Sequence, residues 1–354
     1  MKKLLSLLLV LLTLTTLTLP ARADSLPRFD RLTDAVEYLD AQTRFCPEKI
    51  EFYLTDADSY ALDDVSFPET LRDLAGQYRA TIWYTGDRIT VEYEYYPGTR
   101  ILSAFLTHTE NDLTGEMLQA AQIARQIVNE CPFTSDYDTV RYLHDWLCAH
   151  VNYKAMPEER PTLPRVCGAV GALVDGEANC QGYSDAFRLL AALAGLEVRK
   201  QSGVDGNGEL HDWNVVRLNG KWYIVDTTCD DVENGDGWHY AYMNAGRDLC
   251  DYTWDEARCV APVSDTTDPS LWYYARESTA FSSLGKMAQA AFVARRDQGQ
   301  RVFYAMTRQA NLDWEDLSDA VLDCVNRNNK AASWYIWCAN RAGNTYYWLE
   351  WTEW

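Results

Sequence analysis

The amino-acid sequence predicts an α+β protein: a helix headed by a cysteine and packed on a small antiparallel sheet, flanked by two α-β-α-β-β modules. Three observations carry that expectation. Asn219-Gly220 separates two short runs rich in Val, Ile, Trp and Tyr, the strongest short-range signal for a two-residue hairpin turn. Upstream, Tyr183, Phe187, Leu190 and Ala194 recur at helical spacing after Cys180, and Gly195 supplies a stop. On either side of this segment, one order of elements occurs twice.

Residues 1–23 read as a secretory signal: Lys2-Lys3, an apolar stretch from Leu4 to Leu19, then Ala21-Arg22-Ala23 as a small-x-small cleavage site. A transmembrane helix is the alternative, but the stretch is short, Thr-rich and followed directly by polar chain. No Cys follows it to carry a lipid, and no later stretch approaches the length of a membrane span. The expectation is a secreted product with no membrane insertion once the signal is cleaved.

Residues 24–112 form the first module. A helical stretch from Leu32 to Ala41 leads to a strand at 51–55, a second helix carries Phe67, Leu71 and Leu74, and two aromatic runs (80–84 and 89–96) are joined through Gly86-Asp87. Residues 263–354 repeat the order. A helix from Leu284 to Ala294 leads to a strand at 302–307, and a helix carrying Trp314, Leu317 and Val321 precedes aromatic runs at 332–337 and 344–351, joined through Gly343. Two copies indicate duplicated modules rather than a solenoid. The aromatic strands alternate at period two, so one face must pack on the module's own helices; a sugar- or peptide-binding platform on the other face is the competing reading.

Residues 113–262 form the core between them, and His-Asp-Trp occurs there twice, at 144–146 and 211–213. With Asn219-Gly220 as the loop, Leu218 pairs with Lys221, Asp226 faces Trp213, and His211 is the diagonal neighbour of Asp226 on one face of the ribbon. Diagonal neighbours lie roughly 7–8 Å apart at the backbone, within reach of an imidazole and a carboxylate. His211 is therefore the candidate base and Asp226 its orienter. Cys180, at the first turn of its helix, is the candidate nucleophile, because free N–H groups and the helix dipole favour the thiolate there. His144 falls inside a helical pattern with Val140, Leu143 and Leu147 and has no paired strand, so it reads as a helix-face histidine. Taken singly, Cys180 would be a buried free cysteine and His211 a structural strand residue; the constellation argues otherwise.

Gly-x-x-x-Cys-x-Gly-Tyr (176–183), His-x-Trp-Asn-Val-Val (211–216) and Lys-Trp-Tyr-x-Val-Asp-x-Thr (221–228) resemble the three motifs of the transglutaminase-like superfamily. Its order Cys, His, Asp maps onto Cys180, His211 and Asp226, and residues 137–153 resemble its preceding helix and Asn-x-Tyr element. The resemblance spans about residues 114–250 and implies a papain-like core. Gln181, Tyr183 and Trp213 are the further candidates for substrate or oxyanion contact. One position departs from the pattern: after Asp-Thr-Thr, where relatives often carry an aromatic residue, stands Cys229.

Composition bounds the partners. Removing Lys2, Lys3 and Arg22 takes the formal charge from −20 to −23, a surface that repels nucleic acid and anionic membrane. Ten cysteines in an exported chain suggest disulfides, although Cys180 must stay a thiol and the remaining nine cannot all pair. Cys-x-x-Cys pairs are absent and the His residues lack ligand spacing, so neither a metal site nor a cofactor is expected. Two functions fit. One is a secreted cysteine-dependent acyl-transfer enzyme, a peptidase, amidase or transglutaminase type, acting on a protein or peptide substrate such as a cell-wall peptide. The other is a catalytically silent surface binding protein. The sequence leaves the oligomeric state open.

Overall fold

The computed structural model describes residues 26–60, 62, 77–156, 165–231, 239–253, 264 and 266–354. The expected signal at 1–23 and the helix expected around Phe67, Leu71 and Leu74 lie outside them. In the first unit β1 (Arg28–Phe29), α1 (Leu32–Thr43), β2 (Lys49–Leu54), β3 (Gln77–Thr85) and β4 (Arg88–Tyr95) follow in order. The sheet runs β1-β2-β4-β3, with β1 parallel to β2 and the other pairs antiparallel. Period-two alternation sends Ile50, Phe52, Leu54, Ile89, Val91 and Tyr93 inward against Ala35, Val36 and Leu39 of α1.

The centre follows: helices α2 (Pro97–Thr107), α3 (Gly115–Glu130) and α4 (Asp136–His150), short strands β5 (Asn152–Tyr153) and β6 (Glu177–Ala178), and α5 (Cys180–Leu193). Then come β7 (Glu197–Val204), β8 (Leu210–Leu218) and β9 (Lys221–Val225), the four-residue α6 (Thr227–Asp230) and, later, α7 (Tyr273–Arg276). The three long strands make an antiparallel sheet in sequence order. The chain turns at Asn219 and Gly220 with φ of 51° and 81°, the left-handed pair that this hairpin requires and that Asn and Gly tolerate. Helix α5 lies on the sheet through Tyr183, Phe187, Leu190, Val215 and Val216, and Asn214 Nδ2 donates to the Ser184 carbonyl at 3.0 Å.

The expected domain limits of 112 and 262 need correction. The first unit's apolar cluster stops at Tyr95, whereas Ile101, Leu102 and Phe105 of α2 pack into the central cluster, as do Leu271, Trp272, Tyr273 and Tyr274. Helix α2 is tied to the centre because Gly98 N donates to the buried Asp185 carboxylate at 2.9 Å. A Cβ at that glycine would stand 2.6 Å from Asp185 Oδ1.

The last unit comprises β10 (Ala280–Phe281), α8 (Leu284–Gln298), β11 (Val302–Thr307), α9 (Trp314–Arg327), β12 (Ser333–Arg341) and β13 (Asn344–Glu353). Its strand order, β10-β11-β13-β12 with β10 parallel to β11, is the same as that of the first sheet. Both units thus begin with a parallel strand the α-β-α-β-β expectation omits; two residues are too few to show a period. Strand β13 buries both faces. Tyr346 enters the central cluster, while Tyr347, Leu349 and Trp351 pack with Phe292, Leu317 and Val321 of the unit's own helices. Those aromatics are core, whereas Trp348 is half-buried and packs on Tyr335, which is 48% exposed.

The expectation of disulfides is also corrected. The nine described cysteines are all free thiols. They sit on separate elements with other partners, Cys167 accepting from Asn179 and Cys324 donating to Gln289. Among the described residues no helix is long and apolar enough to cross a membrane.

Candidate active site

Three chain segments converge at one end of the central sheet. The first is the start of α5. Asn179 is extended there, its side-chain oxygen accepting from Gly182 N at 3.1 Å as the helix cap. Gly182 has no alternative, because a Cβ would lie 2.2 Å from the Val166 carbonyl oxygen. This close approach seats the first turn against the preceding loop and leaves Cys180, its first residue, partly exposed.

The second segment is β8, which supplies His211, and the third is the residue where β9 ends. The ladder stops at Asn214 paired with Val225, so Asp226 does not face Trp213 as a strand residue. It leaves the sheet and caps α6, its Oδ1 accepting from Thr228 N at 3.0 Å and Cys229 N at 3.1 Å. The capping bonds fix one oxygen and aim the other. Asp226 Oδ2 stands 2.6 Å from His211 Nε2 and accepts from the Tyr252 hydroxyl at 2.5 Å.

Burial disfavours an imidazolium at His211, but the Asp226 charge outweighs it. That charge, its hydrogen bond and those with the Cys180 and Cys229 thiols hold the His211 pKa well above the ordinary value. Burial likewise opposes the Asp226 carboxylate, and His211, Tyr252 and the Cys229 N–H together bring its pKa below the usual range. Cys180 thus has side-chain contact with a histidine whose Nε2 the Asp226 carboxylate anchors. Trp213 stacks beside His211 with ring centroids 6.1 Å apart and packs on Tyr252 at 4.7 Å, closing the pair off from water.

Two of the further candidates are corrected. Tyr183 is fully buried, its hydroxyl donating to the Val151 carbonyl at 2.8 Å and to Asp231 at 2.5 Å. Trp213 is 1% exposed. Both are core residues that hold the site's walls and neither is open to a substrate. Gln181, next to Cys180, is half-buried, and its Oε1 is a buried acceptor without a partner. Sequence reasoning missed Tyr252, which lies in a loop with no periodic pattern. It also passed over Tyr153, which pairs with Ala178 across β5 and β6, is 51% exposed, and lies within electrostatic range of Cys180 and His211. The Asn152-Tyr153 pair that closes the segment resembling the family's preceding helix was the available signal.

A cavity reaches Cys229 and Tyr252 at the site. About 240 Å³ in volume, it lies between the 205–207 loop, Tyr242, Asp251 and Tyr252, and the tip of the β12–β13 hairpin, with Cys229 in its wall. One ligand atom each of His211, Asp226 and Cys229 lie within 4.8 Å of one another, a set that linear spacing does not reveal. Burial pushes the Cys229 thiol up to about 11, and its Sγ is 3.6 Å from His211 Nε2.

His144 is not a surface residue of its helix. It is buried, with Nε2 3.1 Å from Asp230 Oδ2 and Nδ1 3.1 Å from Asp145 Oδ1. Asp230 also takes His239 Nδ1 at 2.8 Å and Tyr242 N at 3.0 Å. Cys148 lies 3.9 Å from His144 Nε2, and burial sends its thiol up to about 12. This second Cys–His–Asp grouping anchors the end of α6, four residues beyond Asp226, inside the core.

Residues 121–227 match the model of the transglutaminase-like superfamily, so the chain carries a transglutaminase-like domain that includes Cys180, His211 and Asp226. It is 28% identical to kyphoscoliosis peptidase of Mus musculus over 132 residues, which cover 33% of this chain and 18% of that protein. With kyphoscoliosis peptidase of Homo sapiens it shares 30% identity over 106 residues, 27% of this chain and 16% of that one. The chain therefore spans less than a fifth of the length of these relatives. A crystal structure described as a TGase is similar at a TM-score of 0.29 and 15% identity, covering 51% of each chain.

Proposed function

We propose that this chain, through its transglutaminase-like domain, is a secreted cysteine-dependent acyl-transfer enzyme with Cys180 as nucleophile, His211 as acid–base and Asp226 as orienter. One observation carries the reading. A partly exposed cysteine opens a fourteen-residue helix in side-chain contact with a histidine that a buried carboxylate holds through Nε2. A helix start and a neighbouring imidazolium both favour thiolate.

In this reading the Cys180 thiolate attacks the carbonyl carbon of a peptide or carboxamide. The developing oxyanion meets main-chain N–H groups at the start of α5, which the helix itself leaves without partners. His211 gives its proton to the departing amine, and a thioester remains on Cys180. Water or a second amine then attacks the thioester while His211 takes up its proton, completing hydrolysis or cross-linking respectively. Tyr252 and Trp213 act as positioning residues around the His–Asp pair. Tyr153, exposed beside Cys180, suits the first contact with an extended peptide. Export by residues 1–23 and the acidic surface suit a peptide substrate outside the cell, such as a cell-wall peptide.

The test is to incubate the protein with peptides bearing free carboxamides and look by mass spectrometry for an acyl adduct on Cys180. The adduct should form, and should resolve to acid in water or to a new amide with added amine. Turnover that survives Cys180→Ala would remove Cys180 from the reaction, and absence of both adduct and turnover would favour the binding protein.

A further inference from the structure

We propose that Cys229 turns the His211–Asp226 pair into a binding site for a thiophilic divalent cation of the zinc class, which silences Cys180 when bound. The binding half stands on geometry alone; the silencing half rests on the function proposed above. The donor set is one imidazole nitrogen, one carboxylate oxygen and one thiolate sulfur, the mixed set that zinc takes in open, four-coordinate sites.

The distances suit that ion. Bonds of about 2.0–2.1 Å to nitrogen and about 2.3 Å to sulfur set the N···S edge of a tetrahedron at roughly 3.6 Å. His211 Nε2 and Cys229 Sγ are 3.6 Å apart. The Nε2–Oδ2 separation of 2.6 Å is that of a hydrogen bond and must open to roughly 3.3 Å, the tetrahedral N···O edge. The shared proton has to leave and the two side chains have to part by that difference.

The surroundings already resemble the outer shell of a metal site. Asp226 Oδ1 is held by two main-chain N–H groups, and Oδ2 accepts from Tyr252, so the ligating oxygen has a fixed direction. The Cys229 N–H is one of the two, which ties the thiol's backbone to the carboxylate it would share the ion with. The cavity of about 240 Å³ ends on Cys229 and Tyr252, and Asp205 and Asp251 line it. It supplies an approach for a cation and room for a water as fourth ligand.

Binding is redox-neutral. The Cys229 thiol and His211 Nε2 each release a proton to solvent, and their electron pairs become metal–sulfur and metal–nitrogen bonds. With its Nε2 taken by the ion, His211 can then no longer act as the imidazolium partner or the acid–base of Cys180.

Titrate the full chain with Co²⁺ as a spectroscopic stand-in for Zn²⁺. The near-ultraviolet sulfur-to-cobalt charge-transfer band should appear at one equivalent, be bleached by Zn²⁺, and be lost in Cys229→Ser and Cys229→Ala. In parallel, follow iodoacetamide labelling of Cys180 by peptide mass spectrometry. Zn²⁺ should slow it on the order of tenfold or more, since a thiol near 8.5 is only a few per cent thiolate at neutral pH. Chelator should restore the rate. A band that persists undiminished in both variants, or no band in the wild type, would overturn the site and leave the function of Cys180 untouched. Zinc protection that survives Cys229→Ser would place the ion on Cys180 itself and likewise overturn the proposal. A Cys229-dependent band with no change in Cys180 labelling would overturn the silencing half, and with it the pairing of His211 with Cys180.

Discussion

Replacing His144 by Ala separates the two Cys–His–Asp groupings. The imidazole is 0% exposed, bonds to Asp230 and Asp145 and stacks on Tyr240 with centroids 5.1 Å apart. Removing one member of a buried charged pair costs about 3–5 kcal/mol. Asp230 would keep His239 and the Tyr242 N–H, so the cost should fall at the low end, about 3 kcal/mol. For a cooperative unit of roughly 150–250 residues, that lowers the melting midpoint by about 6–12 °C. The pKa of His144 is raised well above its usual value; burial opposes this, but Cys148, Asp145 and Asp230 prevail. A raised value means its contribution is fully present below the unfolded value of about 6.5 and is lost as pH rises through the folded one. The gap between wild type and variant should therefore be widest below about pH 6.5 and narrow progressively as pH rises from there through the folded value. Urea unfolding at several pH values measures the gap, and iodoacetamide labelling of Cys180 in the folded variant measures reactivity. Loss of Cys180 reactivity with stability intact would refute the assignment of His144 to structure.

Asp226→Asn should keep the fold but slow Cys180 labelling, since the imidazolium loses its counter-charge. The carboxyl is held below its ordinary value, so its stabilisation is present above about pH 3.9 and is lost as pH falls through the folded value; urea midpoints of wild type and variant should converge in acid. Tyr252→Phe removes a 2.5 Å hydrogen bond to that carboxylate, a type worth about 1.5–3 kcal/mol, and should move the acid limb of the Cys180 pH–rate profile upward. An unchanged profile would leave Tyr252 a packing residue only.

What the sequence disclosed follows from where its signals are local. Asn219-Gly220 fixes the hairpin register, and that register brings His211 to Asp226, although the carboxylate arrives from a helix cap rather than from the ladder. Helical spacing behind Cys180 and the cap at Asn179 are equally local, so the start of α5 was legible. The partner of His144 was not, because Asp230 reaches it from a four-residue helix 86 positions away. Tyr252 and the Cys229 cavity depend on loops and on the β12–β13 hairpin meeting the centre, which periodicity cannot express. The boundary near residue 95 was hidden for a related reason: α2 follows the first sheet in sequence, yet Asp185 and the central core claim it.

The central claim is that His211 and Asp226 activate the Cys180 thiol. The pH dependence of Cys180 alkylation by iodoacetamide, read peptide by peptide against the other described thiols, tests it most directly. Cys180 should react fastest of them at neutral pH, and His211→Ala should slow it while His144→Ala leaves it unchanged. A Cys180 that reacts no faster than the other thiols in the wild type, or one indifferent to His211→Ala, would contradict the account.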